Sequence, residues 1–548
     1  MKHFLYYFDQ AVRKNWNSPA LCNFHGESFS FGQTAVEIER LHVLMEGAGV
    51  VPGDKIAIYA KNSARWAVSF FAITTADAVA VPILGDFTVD SAAGLTAHAE
   101  CKLIFTESAS WEQMQKMNIE GLVAAINIDN FEILWAADDK TVKAAENMDE
   151  TLAAKYPNGI TPDSINYAKT EMDSLLMIDY TSGSTGSPKG VMLTARNFSS
   201  NIDFGIHRLP AYPGDRMLSM LPLAHLYGMA FELTYPLCQG CAIYFLGKTP
   251  TPSVLLQAFA EVKPYLIITV PLVMEKIFRN KVIPVIEKPA MKVALAIPGV
   301  RQLICGKIRK TLLAALGGEV RSVIVGGAAL AGQVESAMRM IKFPYTVDYG
   351  MTECAPLIGY EDWQHFAKRS CGKPVSGMEV RIASENEREI VGEIQVKGDN
   401  VTIGYFKNPE ATAAAFTNDG WFRTGDLGVK DSKGNIFIRG RSKAMILSAN
   451  GQNIYPEEIE DKLNNLPMVS ESLVVERGKG KLVALVAADT AGKTMTPELK
   501  AEAEKAMAEN LVALNGMLPG YSKVAAIELI EGEFEKTPKR SIKRFLYS

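Results

Sequence analysis

Leu175-Leu176-Met177-Ile178-Asp179-Tyr180 runs without a break into Thr181-Ser182-Gly183-Ser184-Thr185-Gly186-Ser187-Pro188-Lys189-Gly190. The first stretch reads as a buried strand, and the second gathers what a polyphosphate asks of a protein. Its glycines let backbone approach closely, its hydroxyls donate to phosphate oxygens, and Lys189 adds positive charge. Pro188 narrows the conformations open to the loop. A flexible Gly/Ser linker does not need a Pro-Lys pair on a buried strand. A Walker loop ends in Gly-Lys-Ser/Thr, whereas here Pro188 precedes the lysine and Gly190-Val191 follow it.

Composition sets the limits around this loop. The 548 residues exceed one ordinary core, and 48% apolar with 22% charged residues is globular composition. Lys plus Arg total 57 against 61 Asp plus Glu, so no global basic field invites nucleic acid. Seven scattered cysteines suit a reducing compartment, and the lone Cys238-x-x-Cys241 pair lacks the further ligands of a zinc site. The apolar opening run ends at Asp9, too soon for a secretory segment. Trp66 to Leu84 contains Asp77 and Pro82 and reads as a buried helix turning into a buried strand. The expectation is a cytoplasmic protein that touches a membrane, if at all, from its inner face.

Short β-branched runs (Lys55–Tyr59, Leu103–Phe105, Ser322–Val325) alternate with helical patterns starting near Ser91 and Pro252. Such alternation predicts an α/β fold: a large N-terminal domain of layered, mostly parallel sheets. From about 392 to 440 short alternating strands predict a β-rich subdomain. The N-terminal domain is placed at 1–440 and a small α+β C-terminal domain at 441–548, with a boundary at Arg441-Ser442-Lys443. Between Arg279 and Arg321 lie nine Lys/Arg against Glu287 and Glu319. That stretch reads as a solvated helix face, or alternatively as a surface for anionic lipid or for cofactor phosphates.

Further chemistry follows downstream. Val325-Gly326-Gly327-Ala328-Ala329-Leu330 leaves a flat slot for a planar ring at a strand end. Asp348-Tyr349-Gly350-Met351-Thr352-Glu353 offers a stacking face at Tyr349, a hydroxyl at Thr352 and a hard oxygen ligand for Mg²⁺ at Glu353. Asp426, read as held in a Gly-flanked turn of Trp421-Phe422-Arg423-Thr424-Gly425-Asp426, can accept from both hydroxyls of a ribose diol. Any one of these alone has an ordinary structural explanation.

As an ordered set, with Leu221-Pro222-Leu223-Ala224-His225 and Gly440-Arg441-Ser442-Lys443, these motifs resemble the adenylate-forming superfamily of acyl-CoA synthetases, firefly luciferase and peptide-synthetase adenylation domains. The His225 motif and Asn450-Gly451-Gln452-Asn453-Ile454-Tyr455-Pro456-Glu457-Glu458 look most like fatty acyl-CoA ligases. The resemblance implies ATP-driven acylation of coenzyme A by a medium- or long-chain fatty acid, through an acyl-adenylate. It implies that Thr181, Ser182, Gly183, Ser184, Thr185, Gly186 and Lys189 hold the phosphates, with Thr185 and Glu353 at Mg²⁺. Gly327, Ala328 and Tyr349 would frame adenine, Thr352 the α-phosphate, and Asp426 with Arg441 the ribose. His225 would sit between carboxylate and acyl pocket, Lys443 would be the hinge of a mobile small domain, and Gly451 would line the pantetheine tunnel. A cation about 4 Å from a phosphate charge is worth roughly 4 kcal/mol at an effective dielectric of 20, before desolvation.

One position departs from the family pattern. The closing lysine expected four residues after Thr537 is Ser541; Lys543 is the favoured replacement, because Ile542-Lys543-Arg544 resembles the family's usual downstream run, with Lys539 the other. Competing expectations are an aryl or small-acid CoA ligase, an acyl-carrier-protein loading ligase, and a non-catalytic nucleotide or acyl-CoA binding protein. An amino-acid adenylation domain fits less well, because Leu226-Tyr227-Gly228-Met229-Ala230-Phe231 offers no acidic anchor for an amine.

Overall fold

Two large sheets, each buried on both faces, build the N-terminal part of the chain. The computed structural model describes residues 1–181, 188–248, 251–327, 330–447, 453–478, 481–490, 494–536 and 542–547. One sheet has eight strands in the order Gly404–Tyr405, Lys189–Thr194, Leu175–Thr181, Val79–Ile83, Lys55–Tyr59, Cys101–Thr106, Ala124–Asn127, Ile133–Ala136. Its strands from Leu175–Thr181 to Ala124–Asn127 run parallel, with antiparallel neighbours at both edges. The other has seven, in the order Tyr345–Val347, Ser322–Val325, Leu266–Thr269, Arg216–Ser219, Ala242–Phe245, Pro19–Asn23, Ser28–Ser30. Only its last pair is antiparallel.

Strand periodicity shows how the layers stack. In Lys55–Tyr59, Ile56 and Ile58 enter the central core, while Ala57 and Tyr59 join a second core on the outer face. In Ser322–Val325, Ile324 faces the central core, and Val323 and Val325 face a third. Helices fill the space between the sheets: Phe8 of Phe4–Lys14 stacks on Phe71 of Ala64–Thr75 with ring centroids 4.1 Å apart. Phe198 of Ala195–Arg208 meets Phe4 edge-on at 5.2 Å. Two-faced burial explains why the parallel strands read as continuous apolar runs. Ser30 and Thr194 start their helices with capping boxes completed by Gln33 and Asn197.

A four-stranded antiparallel sheet follows, in the order Met378–Ala383, Gly392–Gly398, Phe422–Lys430, Ile436–Arg441. It opens at Met378, ahead of residue 392 read from the sequence. The extra strand buries Met378, Val380 and Ile382 and turns Glu379 outward, a half-buried alternation whose charges masked it. The C-terminal part is α+β: strands Val469–Arg477, Lys481–Ala488 and Val524–Leu529 carry helices Pro456–Leu463 and Pro497–Gly516. Three guanidinium groups from earlier in the chain hold the first of these helices. Arg279 donates to the Asn464 carbonyl at 2.8 Å, Arg369 pairs with Asp461 at 2.8 Å, and Arg439 with Glu458 at 3.6 Å.

Buried Asn201, on Ala195–Arg208, pins the segment that carries Thr352 and Glu353. Its amide donates to the Cys354 carbonyl at 3.0 Å and its oxygen accepts from the Leu357 amide at 3.1 Å. Asn201→Leu removes both bonds and strands two buried backbone groups. A loss of about 2–5 kcal/mol is expected in urea unfolding. An unchanged midpoint would show that the segment is held by other contacts.

Candidate active site

The loops that converge leave the carboxyl ends of neighbouring parallel strands, the edge where open α/β sheets leave room for ligands. Ser322–Val325 ends at Gly326, Tyr345–Val347 at Asp348, and Arg216–Ser219 leads to the loop of His225. Gly326 cannot carry a side chain: a Cβ would lie 2.2 Å from Asp348 Oδ1 and 2.6 Å from the Tyr227 hydroxyl. Gly327 next to it, at φ +84°, has nothing nearer than Val270 at 4.0 Å among the described residues, which leave the slot open there. Burial lifts the Asp348 carboxyl to about 7.

Tyr349 is buried at 5% exposure and joins the core, so its ring is not the open stacking face expected from the sequence. Its hydroxyl instead donates to Asp426 Oδ2 at 2.7 Å. Asp426 lies in the strand Phe422–Lys430, not in a turn, just after Gly425 at φ +72°. It sits opposite Arg441 in the antiparallel register, and Arg441 Nε reaches Asp426 Oδ1 at 2.9 Å. Burial raises the Asp426 carboxyl, and Arg441 and the tyrosine hydroxyl oppose that shift. Asp426 in turn holds the guanidinium more firmly protonated, although the Arg441 side chain remains 64% exposed. A buried carboxylate with an exposed cation beside it can meet a polyhydroxyl group from inside while the cation faces solvent.

Thr352 and Glu353 sit in a single 3₁₀ turn, Thr352–Cys354. Glu353 Oε1 accepts from the Tyr405 hydroxyl at 3.0 Å, and its carbonyl accepts from the Thr402 amide at 2.8 Å. Lys189 Nζ lies 4.9 Å from the centre of the same tyrosine ring, a cation–π distance. Tyr405 pairs with Val191 in the sheet, so it joins the lysine end of the glycine-rich loop to the carboxylate. Thr181 and Lys189 are directly opposed, because the strands on either side of the glycine-rich stretch pair antiparallel. Nothing in the sequence singled out Tyr405, because one tyrosine after a glycine carries no signal until the strands pair.

His225 caps the short turn Leu226–Gly228, with Nδ1 accepting from the Tyr227 amide at 3.2 Å. A neutral ring in that arrangement carries its proton on Nε2. Its loop is clamped from two sides. Asn62 donates to the Leu221 carbonyl at 2.6 Å and accepts from the Leu223 amide at 2.8 Å. Opposite, fully buried Glu232 accepts from Met220 N and Leu221 N, each at 2.9 Å, and from Ser219 Oγ at 3.1 Å. A π-helical stretch, Met229–Thr234, carries this carboxyl. Its other oxygen has no hydrogen-bond partner among the described residues. Sequence reading missed Glu232, although a lone acid inside Met229-Ala230-Phe231-Glu232-Leu233 was a visible signal.

The remaining expected residues divide in two. Ser182, Gly183, Ser184, Thr185, Gly186, Ala328 and Gly451 lie outside the described residues, as do Lys539 and Ser541. Lys443 falls in the 3₁₀ turn Ser442–Ala444 that leaves the last strand of the four-stranded sheet. Lys543, the expected closing lysine, pairs with Glu535 at 3.4 Å within the C-terminal domain, and the Asp426–Tyr349–Arg441 cluster forms without it. Its neighbour Arg544 is tied to Glu460 and Glu457. Cys238 and Cys241 are buried free thiols, and no group of three metal-ligating side chains occurs among the described residues. No helix there is long and apolar enough to cross a membrane.

Fold and site together define an adenylate-forming enzyme. The chain belongs to the AMP-binding enzyme family, whose model matches residues 8–406, while the model of the AMP-binding enzyme C-terminal domain matches 443–547. It is 29% identical over 539 residues to the long-chain-fatty-acid--CoA ligase FadD15 of Mycobacterium bovis, covering 90% of this chain and 86% of that one. To the chloroplastic long-chain-fatty-acid--[acyl-carrier-protein] ligase AEE15 of Arabidopsis thaliana it is 25% identical, over 80% of this chain and 69% of that one. Among solved structures, ATP-bound MatB from Rhodopseudomonas palustris superposes with a TM-score of 0.77 at 22% identity, covering 100% and 98% of the two chains.

Glu232 gives the site a pH signature. Burial raises its carboxyl from the usual 4.5 to about 8, so the folded chain binds a proton there that the unfolded chain releases. The stability this contributes is full below about 4.5 and is lost as pH climbs to about 8. Glu232→Gln should therefore gain on the wild type across that window, by on the order of a few kcal/mol, and level off above it. Thermal unfolding of both proteins against pH measures this; parallel curves would refute it.

Proposed function

We propose that the protein is an ATP-dependent acyl-CoA synthetase that activates a long-chain fatty acid as its adenylate and passes the acyl group to coenzyme A, releasing AMP and pyrophosphate. One observation carries the reading: Lys189, Glu353, Tyr349, Asp426 and Arg441 come from distant parts of the chain and meet in two linked contacts, through Tyr405 and through Asp426. Asp426 accepts from the ribose hydroxyls while Arg441 stands at its solvent side. Lys189, with the loop it ends, neutralises the phosphates, and Thr352 bonds the α-phosphate. Open space over Gly327 admits the adenine edge. Glu353 suits Mg²⁺, since that ion takes one or two protein carboxylates and completes its shell with phosphate and water. Adenylyl transfer asks chiefly for in-line placement and charge neutralisation, and these groups supply both.

In this reading His225 faces the reacting carboxyl from a loop that Asn62 and Glu232 hold. The acyl chain is read as long because the FadD15 relative is named for such acids and the turn after His225, Leu226 to Phe231, is apolar and buried. Transfer to an acyl-carrier protein is a second reading, supported by the Arabidopsis relative. AMP release measured across acids of graded length, with coenzyme A or acyl-carrier protein as acceptor, separates the two. Long-chain acids with coenzyme A should give the highest kcat/KM. Preference for the carrier protein or for aryl acids would replace the reading, and no AMP with any acid would make the chain a binding protein.

Two half-reactions at one site call for two arrangements of the small domain, 441–548, about a hinge at 441–443. Lys443→Pro fixes φ at that hinge. Thioester formation should fall at least tenfold while ATP–pyrophosphate exchange stays within about twofold. Equal loss of both steps would count against domain alternation.

A further inference from the structure

The basic stretch noted in the sequence folds into a helical hairpin that takes no part in the site. Pro289–Ala296 buries none of its residues, and Pro298–Ala315 buries only Cys305 and Leu312. The helices meet at Ile297, and large apolar side chains crowd this junction: Val293 is 69% exposed, Ile297 52%, Val300 37% and Leu303 77%. Scattered apolar residues on a surface need no explanation, but four within eleven positions of one projecting turn form a patch.

Charge surrounds that patch on one sign only. Lys288 and Lys292 precede it, and Arg301, Lys307 and Lys310 follow, all exposed. None of the five has an ion pair among the described residues. Of the other four basic residues in the stretch three are engaged elsewhere, Arg279 with the Asn464 carbonyl, Arg309 with that of Ile341 and Arg321 with Asp215, and Lys281 ends the preceding helix, Pro271–Lys281. The hairpin itself, 289–315, has no acidic residue, and Glu287 just before it accepts from Gln333. The chain as a whole carries −4, so this collar stands against the net charge.

An apolar tip inside a ring of long cationic side chains matches a bilayer interface, where acyl chains lie beneath anionic headgroups. We infer that the 289–315 hairpin is a membrane-docking element that inserts Val293, Ile297 and Leu303 into a leaflet rich in anionic lipid and seats Lys288, Lys292 and Arg301 on its headgroups. A protein partner would be expected to supply carboxylates at fixed positions; the cations here are spaced along both helices without a shared pocket, which favours a fluid anionic surface. The inference does not depend on the catalytic reading.

Vesicle co-sedimentation tests it with the full chain. Wild type should pellet with vesicles of phosphatidylcholine mixed with phosphatidylglycerol, less so in high salt, and stay in solution with phosphatidylcholine alone. Lys288→Glu/Lys292→Glu/Arg301→Glu should lower partitioning about a hundredfold, at roughly fivefold or more per charge. Val293→Ser/Ile297→Ser/Leu303→Ser should lower it at least tenfold. Both triple variants should keep the wild-type thermal transition, since the changed residues are exposed. The inference falls if wild type ignores phosphatidylglycerol, or if both variants bind as wild type does. It also falls if gel filtration finds a dimer that the serine variant dissolves, for then the tip is covered by a second copy of the chain.

Discussion

Asp426 is a carboxylate kept out of water, and the arrangement of the site follows from how that cost is met. A buried carboxylate must be paired or hydrogen-bonded on both oxygens. Tyr349 serves one and Arg441 the other. Tyr349 belongs to the small three-stranded sheet that follows Tyr345–Val347, while Asp426 and Arg441 lie on neighbouring strands of the four-stranded sheet, Arg441 as the last residue before the turn that leads into the small domain. One charge therefore ties two sheets together at the point where the chain leaves for the small domain. Because Arg441 remains largely exposed, the pair is braced on one side and open on the other, and the open side is the one a ligand can use.

A second junction works through Tyr405. This buried phenol donates to Glu353 and lies under Lys189, so an acid and a base of opposite roles share a single rigid spacer. Burial and the neighbouring carboxylate push its hydroxyl well above the usual phenol range, which keeps it a donor at any physiological pH. The two junctions are close in sequence as well: Thr352–Cys354 follows Tyr349 by three residues, and Asn201 fixes that short segment from the central helix layer. Parallel sheets with both faces buried leave only strand ends for polar chemistry. Gly326, Asp348 and the loop of His225 lie at such ends and Lys189 and Tyr405 on the antiparallel strands at one edge, while Asp426 and Arg441 come from the antiparallel sheet that follows.

Polar groups buried for support are the less visible part of the design. Glu232 spends one oxygen on three donors to hold the loop before His225, and Asn62 bonds the same loop from its other side. Apart from the Ser219 hydroxyl their partners are backbone groups, which many loop sequences of suitable shape would offer. Such residues leave no spacing rule in a sequence, since their function is defined only by which backbone comes near.

The layered α/β class, the strands around Ile56, Leu103 and Val323, and the ordered motifs from Thr181 to Lys443 were legible in the sequence. Each rests on local chemistry: apolar periodicity, glycine content and fixed spacings along the chain. The strand Met378–Ala383 was legible in principle, by its alternation, and was hidden by its outward charges. Tertiary structure alone decided that Tyr349 is a buried hydrogen-bond donor rather than an open ring, that Asp426 lies in a strand opposite Arg441, and that Tyr405 links Lys189 to Glu353. It also set Lys543 against Glu535. These are contacts between residues up to hundreds of positions apart, fixed by strand register and layer packing, and no property of either residue by itself encodes them.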